Sequence, residues 1–150
     1  MGEESKVREI TLTIYEKPVP QGRPEFARVG NRVITYDPQK SKTYKDLVKL
    51  WATNQLKRIN GFKMFDSAIC VDITFYLRIP PSWPKKKRIE AECGVIRPIV
   101  KPDLDNLYKS LTDALTGLAW KDDSIITDAH THKRYTADTE RTEITIREVV

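Results

Sequence analysis

Apolar and polar residues alternate along several short stretches of the chain, and this period of two predicts strands. The clearest stretch runs from Ile69 to Ile79, where every second residue is apolar and the residues between are mainly polar. We expect it to form a central strand with its apolar side on the core. The same period predicts a first strand over Ile10 to Tyr15, and two more over Ser124 to Tyr135 and Arg141 to Val150 that residues 136–139 join as a hairpin.

A spacing of three and four residues between apolar positions predicts two main helices. The first begins near Ser41 and ends near Gly61, and its apolar side is made by Tyr44, Leu47, Val48 and Trp51. The second helix places Asp105 or Asn106 at or next to its N-cap, and its apolar side is made by Leu104, Leu107, Leu111, Leu115 and Leu118.

Two irregular segments separate these elements. Residues 17–38 contain four prolines and two glycines, which predicts an extended loop or a short, irregular hairpin. After the central strand, Ser82 as a cap and Pro84 in the first turn predict a short helix. The whole pattern predicts an α+β (mixed α/β) fold: a single compact domain over residues 1–150, with a small mixed β-sheet and two main helices in the order β-α-β-α-β-β. A chain of 150 residues, 39% of them hydrophobic, is enough for one core.

The sequence shows no recognisable targeting or membrane segment. Met1 to Arg8 carry charges without an apolar run, and no later stretch approaches the roughly 18 apolar residues of a membrane span. Cys70 and Cys93 lie 23 positions apart without a CxxC or Cys/His pattern, so we expect two reduced thiols. The expectation is a cytoplasmic protein with no membrane partner and no small-molecule cofactor.

Charge is distributed unevenly along the chain, whose formal net charge is +5. Residues 1–60 hold 12 Lys and Arg against 7 Asp and Glu, and residues 81–101 hold 6 against 2. Residues 103–128 reverse the balance, with six Asp against two Lys. This pattern indicates a basic surface around an acidic pocket. It suits a nuclease, because basic groups neutralise flanking phosphates while carboxylates recruit a cation to the phosphate under attack.

Four acids near the second helix are the candidate metal ligands. Asp103 and Asp105 come where the helix starts, and Pro102 keeps the residue before it out of the helical conformation, so both carboxylates can face one ion. Asp122 and Asp123 follow the helix and can complete the site from the opposite side. Oxygen ligands without paired His or Cys favour Mg²⁺, with Mn²⁺ as a substitute, over zinc. The alternative is that the first two acids are only helix caps and dipole partners.

Lys109 lies four residues after Asp105 and therefore on the same side of the predicted helix. It either forms an ordinary ion pair with Asp105, worth about 0.3 kcal/mol, or directs its charge at the scissile phosphate. His130 and His132 share one side of a predicted strand. Two histidines without a third ligand do not make a zinc site, and a half-solvated strand face explains them.

Basic residues in the irregular segments are candidates for DNA contacts. Residues 17–38 interleave arginines with aromatic residues, as in an arm that binds phosphates and stacks on unpaired bases, although a solvated loop has the same composition. The run 85–88 predicts a phosphate clamp, with a nuclear-localisation tract or a solvated helix face as the alternatives. The candidate DNA-binding residues are Arg23, Arg28, Arg32, Lys85, Lys86, Lys87, Arg88 and Lys101.

Two motifs of the chain resemble those of a known family. The first is Lys-Pro-Asp-Leu-Asp-Asn-Leu-Tyr-Lys at residues 101–109, and the second is Trp-Lys-Asp-Asp-Ser-Ile-Ile at residues 120–126. They are similar to the RusA family of Holliday junction resolvases, in which a (K/R)PDxDN-x-x-K motif is followed by a helix, an aromatic residue and a DD pair. The likeness is strong over residues 101–135 and extends at lower specificity to residues 21–26 and 81–88.

The resemblance implies roles that the spacing leaves open. Asp103, Asp105 and Asp123 would be the metal-binding acids, Asp122 an accompanying acid and Lys109 the essential basic residue. The implied catalytic set is therefore these three metal-binding acids together with the lysine. The family also implies Mg²⁺ dependence, a homodimer, a frequent prophage origin, and symmetrical cleavage of four-way DNA junctions in recombination and repair. Two other classes stay open: a noncatalytic basic DNA-binding protein, and a metal-dependent nuclease that cuts flaps, forks or RNA.

Overall fold

The computed structural model describes residues 7–22, 25–36 and 39–149, together with the side chains of all of these except 25–29 and 33–36. Strands and helices are interspersed along this part of the chain. The strands are β1 (Glu9–Ile14), β2 (Glu25–Val29), β3 (Arg32–Tyr36), β4 (Ile69–Arg78), β5 (Ile126–Thr136) and β6 (Arg141–Glu148). The helices are α1 (Gln39–Lys57), α2 (Lys85–Glu92) and α3 (Leu104–Leu115).

Four of the strands form a mixed sheet in the order β1-β6-β4-β5. β6 pairs antiparallel with β1 and with β4, whereas β4 and β5 run parallel. Parallel neighbours need a long crossover connection, and α2 and α3 lie in the chain between them. β2 and β3 form a separate two-stranded hairpin. β5 is therefore an edge strand of the main sheet, with α3 immediately before it in the chain.

One face of the sheet carries the core. Alternate residues of β4, from Ile69 to Phe75, are fully buried on this face. α1 packs against both β1 and α3, and Leu107 and Leu111 of α3 join the same buried cluster. The intervening residues of the strands point to the opposite face, where Asp72 and Arg147 are exposed. The main helices thus cover a single face of the sheet.

A second, smaller cluster fixes α2. Ala91 of α2 packs with Leu77 near the end of β4 and with Tyr135 near the end of β5. Trp83, just before α2, meets the ring of Tyr135 edge to face, with the ring centroids 5.2 Å apart. The helix therefore lies at the end of the parallel strand pair where both strands finish.

The predicted fold class is confirmed. The described residues form one small α+β domain with a mixed four-stranded sheet, and the main elements follow the predicted order β-α-β-α-β-β. β4 is the central strand that the alternation predicts, because it is bonded to a neighbour on each side and its apolar residues are buried. The irregular segment 17–38 contains a short hairpin, and the short helix after the central strand is present.

Three details of the sequence-based prediction are wrong. The last two strands do not form a hairpin, because β4 lies between β5 and β6 and pairs with both. α3 begins at Leu104 with Asp103 at its N-cap, so the helix starts earlier than a cap at Asp105 or Asn106 would place it. Pro84 rather than Ser82 precedes the first helical residue of α2.

No helix within the described ranges is long and apolar enough to cross a membrane. Cys70 and Cys93 are both free, as expected for thiols without a partner. His132 lies 3.5 Å from Asp72 on the open face of the sheet, which accounts for that histidine without a metal.

Candidate active site

The first acidic motif lies at the N-terminal end of α3. Asp103 occupies the N-cap position with extended backbone angles, φ −71° and ψ 142°, but its side chain makes no capping hydrogen bond. Asp105 lies in the first turn, where its charge is favourable to the helix dipole. Both side chains are exposed. The carboxylate of Asp103 is thus at the N-cap position without a capping hydrogen bond, whereas its charge is still favourable to the helix dipole at this end of α3.

Lys109 lies one turn further along α3 and is exposed. Its ammonium group forms no ion pair with Asp105, although both residues belong to the described part of the chain. α3 presents this side to solvent because its apolar residues, including Leu107 and Leu111, are buried on the other side. The i,i+4 ion pair that would explain Lys109 as a surface residue is therefore not formed.

The second pair of acids is held by a buried anchor. Trp120 is fully buried, and its indole Nε1 donates a 3.0 Å hydrogen bond to Oγ1 of Thr116. The N–H of Phe65 donates to the carbonyl of Ala119, and the N–H of Lys121 donates to the carbonyl of Phe65, at 3.0 and 2.8 Å. These contacts fix the segment between α3 and β5, so the acids that follow Trp120 have a defined position.

Asp122 and Asp123 occupy the turn that leads into β5. Oδ1 of Asp122 accepts a 3.2 Å hydrogen bond from the N–H of Ser124, which caps a short 3₁₀ turn over Asp123–Ile125. A hydrogen bond between the two carboxyl groups lowers the pKa of Asp122 and raises the pKa of Asp123. Both groups are exposed. Carboxylate oxygens of both residues are therefore open to solvent.

Asp123 interacts electrostatically with α3. Its charge raises the pKa of Tyr108, in addition to the larger effect of burial on that tyrosine. Asp113 in turn contributes to the raised pKa of Asp123. Asp113 also lies 3.6 Å from the ammonium nitrogen of Lys45 on α1. Asp123 is thus within electrostatic range of Tyr108 and Asp113 on α3.

Lys133 of β5 supports the segment before Asp103. Its ammonium nitrogen donates 2.8 Å hydrogen bonds to the carbonyl oxygens of Val100 and Pro102, and the Lys101–Pro102 peptide bond is cis. Lys133 is paired in register with Phe75, so it projects from the face of the sheet that carries the helices. This lysine ties the edge strand to the start of the acidic motif.

The candidate ligands are all carboxylate oxygens. They suit Mg²⁺ better than a metal ion that must be fully enclosed by protein ligands. Within the described ranges, no group of three or more His, Cys, Asp or Glu side chains is close enough to hold a metal ion. The candidate acids instead offer exposed carboxylate oxygens in pairs. Mg²⁺ characteristically keeps several waters and is held by one or two carboxylates together with substrate phosphates. An open set of this kind is compatible with such an ion.

The candidate DNA-binding side chains that the structure describes are exposed. Lys85, Lys86, Lys87 and Arg88 are all exposed at the start of α2, and the ammonium of Lys87 lies 3.9 Å from the ring centroid of Trp83. Tyr135, which packs on α2, is two residues beyond Lys133 on the same side of β5, about 7 Å away. α2 and the segment before Asp103 are thus both tied to β5, through Tyr135 and Lys133 respectively. Lys101 and Arg32 are exposed, whereas Arg23 and the side chain of Arg28 lie outside the described residues.

Comparison with known proteins shows the family to which the chain belongs. A sequence model of the family described as "Endodeoxyribonuclease RusA" matches residues 16–147, which is most of the chain. The chain belongs to the RusA endodeoxyribonuclease family. It is also 38% identical over 142 residues to "Uncharacterized protein YqaN" of Bacillus subtilis (strain 168), with 93% of this chain and 96% of the relative covered. The resemblance in the two acidic motifs thus reflects membership of the RusA family over nearly the whole chain.

The RusA motif residues are only partly assembled in the structure. Asp103, Asp105 and Lys109 follow one another along the start of α3, and Asp122 and Asp123 approach α3 from the segment before β5. No cluster of metal-binding side chains is formed among the described residues, so the catalytic set stays a prediction.

Three neighbours were missed by sequence reasoning. Asp113 follows Lys109 by four residues, and this spacing could have indicated the same helix side. Tyr108 is part of the quoted motif but carried no separate prediction. Lys133 had no local signal, because its contact with residues 100 and 102 depends on the fold.

Proposed function

We propose that this protein is a Mg²⁺-dependent endonuclease that resolves four-way DNA junctions by symmetrical paired incisions. The observation that carries the proposal is the exposed N-terminus of α3, which presents Asp103 without a cap hydrogen bond, together with the electrostatic effect of Asp123 on Tyr108 of the same helix. Membership of the RusA endodeoxyribonuclease family supports DNA as the substrate. The requirement for Mg²⁺, the junction and the pairing of cuts are the proposed parts.

Asp103, Asp105 and Asp123 would hold the metal ion, with Asp122 beside them. Bound there, Mg²⁺ would supply Lewis-acid polarisation of the phosphate and activation of a water molecule, giving a 5′-phosphate and a 3′-hydroxyl. Lys109, one turn beyond Asp105 and without an ion pair to it, directs its ammonium group at the charge that develops on the phosphate. Its exposure supports this role, because a cation already neutralised by a neighbour would stabilise that charge less.

The basic residues would position the DNA around the acids. Lys101, Arg32 and the run from Lys85 to Arg88 are exposed and can bind phosphates on either side of the cut. A homodimer would present two equivalent sites, in keeping with the approximate twofold symmetry of a four-way junction. Each subunit would then cut one of two strands related by that symmetry.

The decisive experiment is cleavage of a synthetic four-way junction with and without Mg²⁺, comparing the wild-type protein with Asp103→Asn. We expect cleavage only with Mg²⁺, and a loss of at least about 100-fold in Asp103→Asn. Junction binding by the variant should be kept or strengthened, because one negative charge near the phosphates is removed. Asp72→Asn is the matched control, since it removes an exposed carboxylate from the opposite face of the sheet.

A comparison of other nucleic-acid substrates distinguishes the proposed function from the alternative functions. Fork, flap, linear duplex and RNA substrates are compared at one salt concentration, because affinity for nucleic acid depends steeply on salt. Preferential cutting of a fork, a flap or RNA would replace the junction with that substrate. Binding without metal-dependent cleavage of any substrate would identify a noncatalytic DNA-binding protein and overturn the proposal.

A further inference from the structure

A cavity of about 460 Å³ lies beside the first acidic motif and has no assigned role. On one side it is bounded by the segment between β1 and β2, and on the other by the start of α3. Its lining comprises Lys17, Pro18, Val19, Pro20, Gln21, Lys40, Lys101, Pro102, Asp103 and Asn106. Its volume is within the range of about 300–1,000 Å³ that is usual for small-ligand sites.

The charge of the lining favours an anion. Three lysines, Lys17, Lys40 and Lys101, stand against the single carboxylate of Asp103, which gives a formal charge of +2. A depression of about 330 Å³ on the opposite face of the sheet has Glu9 and Asp72 against Arg147, a formal charge of −1. A positive lining is thus not a general consequence of the basic composition of the chain.

One wall of the cavity is apolar and fixed in place. Pro18 is buried, and Val19 packs against the main core. The N–H of Gln21 donates a 2.9 Å hydrogen bond to the carbonyl of Asn106 in the first turn of α3. Because prolines restrict the backbone on both sides of Val19, this wall keeps its shape. A lining that combines apolar surface with cationic groups suits a ligand that carries both an apolar ring and an anionic group.

We propose that this cavity binds one nucleotide of the cleaved DNA strand, directly next to the scissile phosphate. The lysines hold its phosphate, and its deoxyribose lies against the wall formed by residues 18–20. The position of this nucleotide follows from Asp103, which lines the cavity and is also a proposed metal ligand. The inference rests on the proposed function. It specifies in addition that the cleaved strand reaches the candidate acids from the side of this cavity.

The test is a phosphate-neutralisation scan. Single methylphosphonates, which are uncharged, replace the phosphates around the crossover of a junction one at a time, and binding is measured in EDTA at low salt. With the wild-type protein, several positions should weaken binding. With the Lys17→Ala/Lys40→Ala variant, neutralising the phosphate at one or two adjacent positions should no longer weaken binding. At the other positions it should weaken binding as it does for the wild type. The slope of log affinity against log salt should fall by about 1 for each lysine that contacts a phosphate.

Lys57→Ala/Lys63→Ala is the matched control, with the same change of charge. Lys57 is at the other end of α1 from Lys40, about 25 Å away along the helix axis, and Lys63 is exposed in the following segment. The control should keep both the scan profile and the salt slope of the wild type. Equal losses in both double variants, or a uniform loss without change of profile, would overturn the inference.

The phosphate scan tests the nucleotide site and the cleavage assay tests the proposed function, so either hypothesis can be contradicted without the other. Binding in EDTA needs no catalysis, so a protein that cuts no substrate would refute the proposed function while the position-specific contact remained measurable. Conversely, an efficient junction nuclease whose phosphate profile is unchanged by Lys17→Ala/Lys40→Ala would keep its proposed function without this nucleotide site.

Discussion

Lys133 places a charged group on the side of β5 whose neighbours in β4 are apolar. Its register partner Phe75 is fully buried, yet the ammonium group of Lys133 reaches the carbonyls of Val100 and Pro102 at 2.8 Å. A buried or half-buried ammonium group needs such partners, because its desolvation is costly. The lysine therefore serves to hold the segment that leads to Asp103, and it acts on the chemistry only through that segment.

Replacing Lys133 by Met should disturb the position of Asp103 while leaving DNA contacts intact. We expect kcat for junction cleavage to fall about 10- to 100-fold, because misplacement of a reacting group by about 1 Å has costs of this order. KM should change by less than about threefold, and Lys133→Arg should restore part of kcat by donating to the same carbonyls. Lys49→Met, an exposed lysine of α1, is the control. A rise in KM with unchanged kcat would instead make Lys133 a DNA-contacting residue.

Tyr44 is a titratable group in the core, and burial raises its pKa to about 12. Thr142 is its polar neighbour, but neither hydroxyl oxygen has a hydrogen bond of acceptable geometry. In the unfolded chain the phenol loses its proton near pH 10, whereas in the fold it keeps the proton until about pH 12. The folded state therefore binds more protons over this window, so its stability falls as pH rises from 10 to 12.

Tyr44→Phe should remove this part of the alkaline instability. The difference in unfolding free energy between wild type and variant should be small at pH 8 and should move in favour of the variant by about 2 to 3 kcal/mol up to pH 12. Urea unfolding at several pH values measures this difference, and the titration of other groups cancels between the two proteins. A difference that is constant between pH 8 and 12 would contradict the raised pKa.

The residues of the candidate site differ in how far the sequence could reveal them. Asp103, Asp105 and Lys109 are adjacent in the chain, so helical spacing predicts their common end of α3, and the structure places them there. The approach of Asp123 to Tyr108 and Asp113 depends on how the chain returns after α3. That return is determined by long-range packing, which no local period contains.

At the scale of elements, the segment between α3 and β5 is ordered by one aromatic side chain. Trp120 is fully buried and bonds to Thr116, while the backbone on either side of it pairs with Phe65. Gly117 makes the reversal after the helix with φ 83°, a conformation that favours glycine, and its N–H donates to the carbonyl of Trp120 at 2.7 Å. The turn that carries Asp122 and Asp123 follows directly.

Truncation of this anchor should loosen the acidic turn as well as the core. Trp120→Ala should lower the free energy of unfolding by about 3–5 kcal/mol, the usual cost of removing a large buried aromatic side chain. Trp120→Phe should cost less, since it keeps most of the apolar contact and loses mainly the hydrogen bond to Thr116. Denaturant unfolding measures both variants. A cost below about 1 kcal/mol for Trp120→Ala would show that the segment does not depend on this residue.

The arrangement of the strands shows where sequence patterns stop being informative. Alternation predicts that β5 and β6 are strands, and the short connection between them favours a hairpin. Alternation does not say which strands are neighbours, and β4 is inserted between these two. The two helices that separate β4 from β5 were a usable signal, because a parallel pair requires a long crossover. Strand identity was therefore predictable, whereas strand order required the tertiary structure.

At the scale of the whole molecule, the separation of charge agrees with a protein that binds a polyanion and acts on it at a small acidic centre. The formal net charge is +5, and the three lysines of the cavity beside Asp103 lie at the start of α3, while the basic residues at the start of α2 are exposed. The four candidate metal-binding acids lie at the start of α3 and in the turn before β5. Repulsion between these acids and phosphate would be reduced only when a cation is bound, which couples DNA binding at the cut to the metal.

If two subunits each supply one active site, cleavage by a mixed dimer should be one-sided. Wild-type and Asp103→Asn subunits with different tags are co-expressed, and the mixed dimer is purified by both tags. On a supercoiled plasmid that extrudes a cruciform, the wild-type homodimer should give linear DNA, because both strands are cut within one complex. The mixed dimer should give nicked circles at about half the wild-type rate of first incision, and the Asp103→Asn homodimer should give neither product. Linear DNA from the purified mixed dimer would mean that one site makes both cuts.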